Sequence, residues 1–314
     1  MISDENEILK LVEVARMYYE ENMTQAEIAK KLKVSRPLVS KMLSKAREMG
    51  IVHIQIKSPY INNGVLMGQL KNLFNLRGGI IVPRANTEYL TEQLILNHAF
   101  NYIKDILPEI KYLGLGWGYT IGALVEKIEQ GEVSRNFDGT VCPLIGNASI
   151  PNRGYHPNEL TRVFAEKTGF KPFYLHAPAF PATAQEKELF INTDNYREIH
   201  SIWSKLDNII VSLGSYPSVP DQATALRFNS ALNDKKAVGM ILSYYFDKEG
   251  NIIRGENDNA IHIPLDKIRK VKRVIGICTG KNSIHSTIGA LRTGYITHLI
   301  TDEKTAVDLI KHKV

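Results

Sequence analysis

The residues able to do chemistry in this 314-residue chain fall in two kinds of place, and the first is a basic, hydroxyl-rich helix face. Within Met23–Met49, Val39, Leu43 and Ala46 recur at i, i+4 and i+7 and predict one buried stripe. The opposite face carries Arg36, Pro37, Ser40, Lys41, Ser44 and Lys45, with Ser35 placed to cap the helix and Pro37 in its first turn. Arginine and lysine can read guanine O6 and N7 in a major groove, and a proline ring can touch a thymine methyl. Arg36, Pro37, Ser40 and Lys41 are therefore the candidates for base edges. Lys30, Lys31, Lys33, Lys45 and Gln25 are candidates for phosphates, where contacts fix register and make affinity salt-dependent. From Lys30 to Arg47 the chain has no Asp or Glu, the local asymmetry a phosphate-facing surface shows.

The second kind of place is the glycine-rich junction between a strand and a helix. Gly114-Leu115-Gly116-Trp117-Gly118-Tyr119-Thr120 leads into a helical pattern. Its glycines permit close backbone approach, Thr120 offers a hydroxyl, and a helix N-terminus presents N–H groups to an anion. The loop is not G-x-G-x-x-G, and a tight turn with no ligand is the plainer alternative. Exposing Trp117 and Tyr119 in a mere turn is costly, which favours a ligand. Two further junctions are Cys142–Asn147, with Gly146 and Asn147, and Ile277–Ser283, with Lys281, Asn282 and Ser283. Lys281 can hold an anion there or simply be a solvated lysine.

Other chemistries find less support. Asp247, Glu249 and Glu256 lie in the turn-rich stretch DKEGNIIRGEN, where acids are commonly solvated. The histidines show no metal-ligand spacing. Cys142 and Cys278 sit in apolar runs and read as buried thiols of a reducing compartment. A net charge of +6 permits nucleic-acid binding without establishing it. No signal segment and no apolar run of membrane-spanning length is present, so a cytoplasmic protein with no membrane association is expected.

These residues need elements to position them. Thr24 and Glu27 form a capping-box pattern for a short helix with Ala26, Ala29 and Leu32 as its apolar face. Lys33-Val34 turns the chain, and a helix over Glu7–Asn22 packs behind. Together these make a helix-turn-helix. Ile51–Lys57 alternates as a short strand, either a wing or a linker strand, and Ser58–Gly64 has breaker chemistry. The boundary is thus expected between a DNA-binding domain, 1–57, and a sensing and oligomerisation domain, 58–314. A helix over Val65–Leu76 opens the latter.

From Gly79 onward, apolar runs alternate with amphipathic helical patterns. Strands are expected at Gly79–Pro83, Tyr112–Gly116, Thr140–Ile145, Phe173–His176, Asn208–Leu213, Val238–Tyr244, Val274–Cys278 and Ile296–Thr301. The alternation predicts an α/β fold with a doubly wound, Rossmann-like parallel sheet. Ligands of such sheets bind beyond the carboxyl ends of the strands at a switch in strand order.

The segments ARMYYEENMTQAEIAKKLKVSRPLVSKMLSKAREMGIVHIQI, LGLGWGYTI, LHAPAF, VGMILSYYFDKEGNII and CTGKNSIHSTIGALRTGYITHLITDEKTA, in this order, resemble the SorC family. These are sugar-responsive bacterial transcriptional regulators, a group that also contains deoxyribonucleoside-type repressors. The resemblance covers nearly the full chain. It implies an effector domain related to sugar-phosphate isomerase and CoA-transferase folds that senses a phosphorylated sugar, sugar or polyol in a homodimer or homotetramer. It places the anion at Gly116–Thr120, ligand hydroxyls at Asp247, and closure of the pocket at the Gly280 region. Where the family commonly has an aspartate this chain has Met240, and where it commonly has a lysine this chain has Ser283. The expected function is a regulator of a carbohydrate-utilisation operon that binds double-stranded operator DNA and needs no cofactor. The alternative is a sugar-phosphate isomerase-like enzyme with an appended DNA-binding head.

Overall fold

A computed structural model of the chain describes residues 2–52, 63–148, 152, 155–217, 222–279 and 283–312. The chain forms two compact units, Met1–Ile61 and Asn62–Val314. The segment expected to form a wing or linker strand lies outside the described residues from His53 onward.

The first unit is three helices, α1 (Ile2–Tyr19), α2 (Gln25–Leu32) and α3 (Arg36–Glu48). The capping box forms as expected: Thr24 Oγ1 accepts from Glu27 N, and Thr24 N donates to Glu27 Oε2 at 2.8 Å. Lys33 takes the left-handed conformation (φ 55°), and Val34 N donates to Ala29 O, which closes α2 and turns the chain. Ser35 Oγ accepts from Leu38 N to start α3. Val39, Leu43 and Ala46 are buried, as their spacing predicts. On α2 the buried pair is Ile28 and Ala29, whereas Ala26 is exposed. Ile28 is wedged between Val14, Met17, Val39 and Leu43 because the larger side chain excludes more water than an alanine there can.

The second unit opens with α4 (Asn63–Phe74), followed by β1 (Gly78–Val82), α5 (Glu88–Ile106), β2 (Tyr112–Leu115), α6 (Tyr119–Gln130) and β3 (Thr140–Pro143). Then come α7 (Pro157–Thr168), β4 (Lys171–Pro172), α8 (Ala184–Ile191), α9 (Asp194–Trp203), β5 (Asn208–Ser215), α10 (Gln222–Phe228) and α11 (Ala231–Asp234). An arm of β6 (Gly239–Ile241), β7 (Tyr244–Phe246) and β8 (Ile252–Ile253) precedes α12 (Leu265–Ile268), β9 (Arg273–Ile277), α13 (Ile284–Arg292), β10 (His298–Asp302) and α14 (Glu303–Lys311).

Strands pair in the order β1-β10-β9-β5-β2-β3-β4, all parallel. Successive strand residues serve opposite cores. Ile209 and Val211 face one cluster with Trp203, Ile288 and Leu309, whereas Ile210 faces the other with Ile121, Leu124 and Phe164. Helices α4, α9, α13 and α14 therefore cover one face and α5, α6 and α7 the other, the doubly wound arrangement.

Two expected strands differ. Val238–Tyr244 is not a parallel strand: it is the antiparallel hairpin β6–β7, hung on the end of β5 through Leu213↔Ile241 and Ser215↔Gly239. Phe173–His176 forms no strand beyond β4. Two asparagine side chains take its backbone groups instead: Asn158 bonds both N and O of Leu175, and Asn195 accepts from His176 N and donates to Tyr174 O.

Gly79 shows how tightly β1 meets β10. Its φ is +149°, and an added Cβ would lie 2.0 Å from Leu299 O. Gly79→Ala is expected to destabilise this unit by about 3 kcal/mol or more, because the obstacle is backbone rather than a movable side chain. Both tryptophans of the chain, Trp117 and Trp203, lie in this unit, so a urea titration followed by tryptophan fluorescence reads it selectively. An unchanged midpoint would refute the packing argument.

Candidate effector cleft and nucleic-acid face

From β2 the chain moves to β3 and β4 on one side, and β5 then returns to the other side of β2. Loops leaving β2 and β5 diverge, which opens a crevice at their carboxyl ends. A cleft of about 330 Å³ lies there, lined by Glu92, Trp117–Thr120, Ser212–Gly214, Met240, Leu242 and Thr279. Its floor forms because Gly116 N donates to Ile210 O at 2.8 Å, and a side chain at Gly116 would meet that same carbonyl at 3.0 Å.

Gly118 precedes α6 at φ 93°, which a glycine tolerates, and supplies no side chain to cap the helix. Helices α2, α3, α5, α8, α9, α13 and α14 each begin with a Ser, Thr or Asp side chain accepting from the first turn. The first turn of α6 instead opens on the cleft, with the Thr120 hydroxyl beside it. Amide N–H groups and the helix dipole at such an end favour an anion.

The two-residue turn between β6 and β7 also lines the cleft, through Leu242. Leu242 is held at φ 58°, a left-handed conformation that costs a leucine about 1–2 kcal/mol. Trp117 Nε1 donates to Leu242 O at 3.2 Å, and Arg227 Nη2 donates to Ser243 O at 2.9 Å. Arg227 also pairs with Asp258 at 2.9 Å and lies over the Phe180 ring. Ser243 Oγ and His262 Nδ1 are 2.5 Å apart, and the His262 ring stacks on Tyr244. Desolvation pushes the His262 pKa down to about 3, opposed by Asp258 and aided by Arg227 and Lys187.

The sequence-selected residues separate clearly. Trp117, Gly118, Tyr119 and Thr120 meet at the cleft, and Gly116 supports it from below. Gly146 and Asn147 do not line it. Their backbone ties β3 to neighbouring loops, Gly146 N donating to Ile261 O and Asn147 N to Ala177 O. Asp247 is also elsewhere: its carboxylate accepts from Glu249 N, Asn251 N and Asn251 Nδ2 and so closes the turn before β8. Ser283 Oγ caps α13, and Ser283 N donates to Ser215 Oγ at 3.0 Å. Lys281 and Asn282 lie outside the described residues.

Several cleft residues escaped the sequence reading. Glu92 had a visible signal, since it falls on the stripe of Ile95, Leu96, Ala99 and Ile103 along α5, where a carboxylate is out of place. Ser212, Gly214 and Leu242 had none, because only the strand order brings them to the crevice. Both cysteines are buried, and burial pushes the Cys142 thiol up, away from reactivity.

On the first unit Arg36, Pro37, Ser40 and Lys41 are exposed along one side of α3, while Ser44 and Lys45 are half-buried. Arg47 donates to Ser44 Oγ at 3.3 Å. Gln25, at the start of α2, and Arg36 share one hollow with Tyr18 and Tyr19.

A helix-turn-helix with an exposed basic helix, joined in one chain to an α/β sensor with an anion-suited cleft, defines a DNA-binding transcriptional regulator. Residues 58–311 match the family described as "Putative sugar-binding domain", and residues 10–48 match "Sigma-70, region 4". The chain is 30% identical to the sorbitol operon regulator of Klebsiella pneumoniae over 99% of its own length and 100% of that protein. It is 29% identical to the deoxyribonucleoside regulator of Bacillus subtilis (strain 168), over 95% of its length and 96% of the relative. The full-length crystal structure of the Klebsiella regulator SorC superposes with a TM-score of 0.74, covering 96% of this chain and 98% of that one at 29% identity. The chain belongs to the SorC family of sugar-binding transcriptional regulators. Its relatives are regulators and not enzymes, so the isomerase alternative falls.

The neutral state of His262 carries a pH signature. Its folded pKa lies below the ordinary 6.5, so between pH 6.5 and about 3 the unfolded chain binds the extra proton. Stability therefore falls as pH drops below about 6.5, with a limiting slope of about 1.4 kcal/mol per pH unit from this group. His262→Asn is expected to flatten the decline in urea midpoint between pH 7 and pH 5. A decline as steep as in the parent would assign it to other groups, His298 among them, whose pKa is pushed down to about 4 by burial and then by Arg273, Arg77 and Lys71.

Proposed function

We propose that this protein controls a carbohydrate-utilisation operon by binding operator DNA through α3 and a phosphorylated sugar or related metabolite in the β2/β5 cleft. One observation carries the reading: the uncapped first turn of α6 opens into a monosaccharide-sized cleft at the switch in strand order. In that reading Trp117, Gly118, Tyr119 and Thr120 hold the anionic group. Lys281 and Asn282, which follow β9 in the sequence, are further candidates for the same group. The sensing region is taken as 58–314 and the DNA-binding region as 1–57.

Arg36, Pro37, Ser40 and Lys41 meet base edges, and Gln25, Ser35, Ser44 and Lys45 meet the backbone. A single helix-turn-helix buries little surface, so the working form is a homodimer or homotetramer on half-sites about one helical turn or a multiple apart. Effector and operator are linked through two states of that oligomer, each ligand favouring one. The protein acts where the chromosome is, in the bacterial cytoplasm; no helix among the described residues is long and apolar enough to cross a membrane.

Lys41→Ala is expected to reduce discrimination between operator and random DNA by about 1–3 kcal/mol. Equal losses on both DNAs would make Lys41 a phosphate contact. A thermal-shift series with hexose and hexitol phosphates, the free sugars and inorganic phosphate tests the cleft. A ligand at a hundred times its Kd stabilises by about 2.7 kcal/mol. Thr120→Ala should shrink the shift from the phosphorylated ligand while leaving operator binding in its absence intact. A full shift in that variant would remove Thr120 from the anion seat.

A further inference from the structure

Glu92 is the most improbable residue of the cleft. It lies in the second turn of α5, on the stripe that packs Ile95, Leu96 and Ala99 into the core, and is 2% exposed. It nevertheless lines the same cleft as Gly118 and Thr120. A carboxyl group so placed is costly to desolvate, and a core position does not by itself call for one.

Two groups that line the cleft have opposite requirements. The first turn of α6 offers N–H donors and a partial positive charge, and so attracts an anion. The Glu92 carboxyl group presents acceptor oxygens, and so disfavours an anion and attracts hydrogen-bond donors. Met240 and Leu242 add apolar side chains to the same lining. One small molecule satisfies both groups when it carries an anionic group on a hydroxyl-bearing carbon chain or ring.

We propose that Glu92 is the specificity-determining residue of the cleft, its carboxylate accepting hydrogen bonds from effector hydroxyls while the anionic group sits at the start of α6. The assignment rests on the effector reading given above and adds the residue that separates a polyol phosphate from phosphate alone. A site built to bond a hydroxyl rejects analogues lacking it far more strongly than an apolar pocket rejects an extra methylene.

The test uses the full-length protein with Glu92→Gln and Glu92→Leu. Titration calorimetry is run with hexitol 6-phosphate, hexose 6-phosphates, glucosamine 6-phosphate and inorganic phosphate, and urea midpoints are recorded. Glu92→Gln keeps the shape and one acceptor and should fold as the parent does, and the urea midpoints show whether Glu92→Leu does so too. The polyol phosphate bound by the parent should lose at least tenfold in affinity in Glu92→Leu and less in Glu92→Gln, which keeps one acceptor. Inorganic phosphate should change by less than twofold. Equal polyol-phosphate affinity in parent and variants would overturn the proposal and leave the effector reading standing. Parallel loss of inorganic phosphate would overturn it too, by making Glu92 a support of the loop. Tighter parent binding of glucosamine 6-phosphate than of the uncharged sugar phosphates, abolished in both variants, would replace hydroxyl selection by ammonium selection. Failure of the parent to bind any of the set, phosphate included, would bring down the effector reading itself.

Discussion

The pairing of β5 with β2 is the constraint on which the sensing unit depends. Three registered residue pairs, from Leu113↔Asn208 to Leu115↔Ile210, bring β5 back against the strand that leads into the β2–α6 junction. Because β3 and β4 already occupy the other side of β2, the loops at this seam part instead of packing on each other. Gly116 sits tightly against the Ile210 carbonyl, which a Cβ would meet at 3.0 Å, so the floor of the crevice is backbone on backbone. The cleft follows from strand order, and the loop residues finish it.

Around the cleft three local costs come together. Side chains cap most helices, yet α6 starts from a glycine. Leucine takes a left-handed turn at 242, and a glutamate occupies a core stripe at 92. Each departure costs stability locally, and the surrounding packing supports it: Trp117 and Arg227 both donate to the carbonyls of the Leu242–Ser243 turn. Several such costs meeting in one cleft is a mark of a binding site rather than of a core.

The helix-turn-helix obeys the opposite economy. Its capping box, its left-handed Lys33 and its Ser35 cap are all local, within a few residues of what they stabilise. Its core is small, and Ile28 fills the space between α1 and α3. Apart from the left-handed Lys33 at the turn, α3 is presented by ordinary helix ends, because reading DNA asks only for a rigid helix with the correct exposed side chains.

That contrast explains what could be read in advance. The Thr24 cap, the buried Val39–Leu43–Ala46 stripe, the exposed Arg36 and Lys41, and the α/β alternation were legible because periodicity and capping are local. The loop Trp117–Thr120 was legible as well, since its glycines and aromatics are contiguous. Asp247 was misplaced: its carboxylate closes its own turn, a use that sequence cannot separate from ligand binding. Phe173–His176 carries a strand's composition, but Asn158 and Asn195 claim its backbone. The sequence by itself determined the elements, the basic reading helix and one glycine-rich loop. Only the tertiary structure decided that Glu92, Ser212, Leu242 and Thr279, spread over almost two hundred residues of chain, share that loop's cleft. The order in which parallel strands pair is set by burial on both faces of the whole sheet, and no local pattern encodes it.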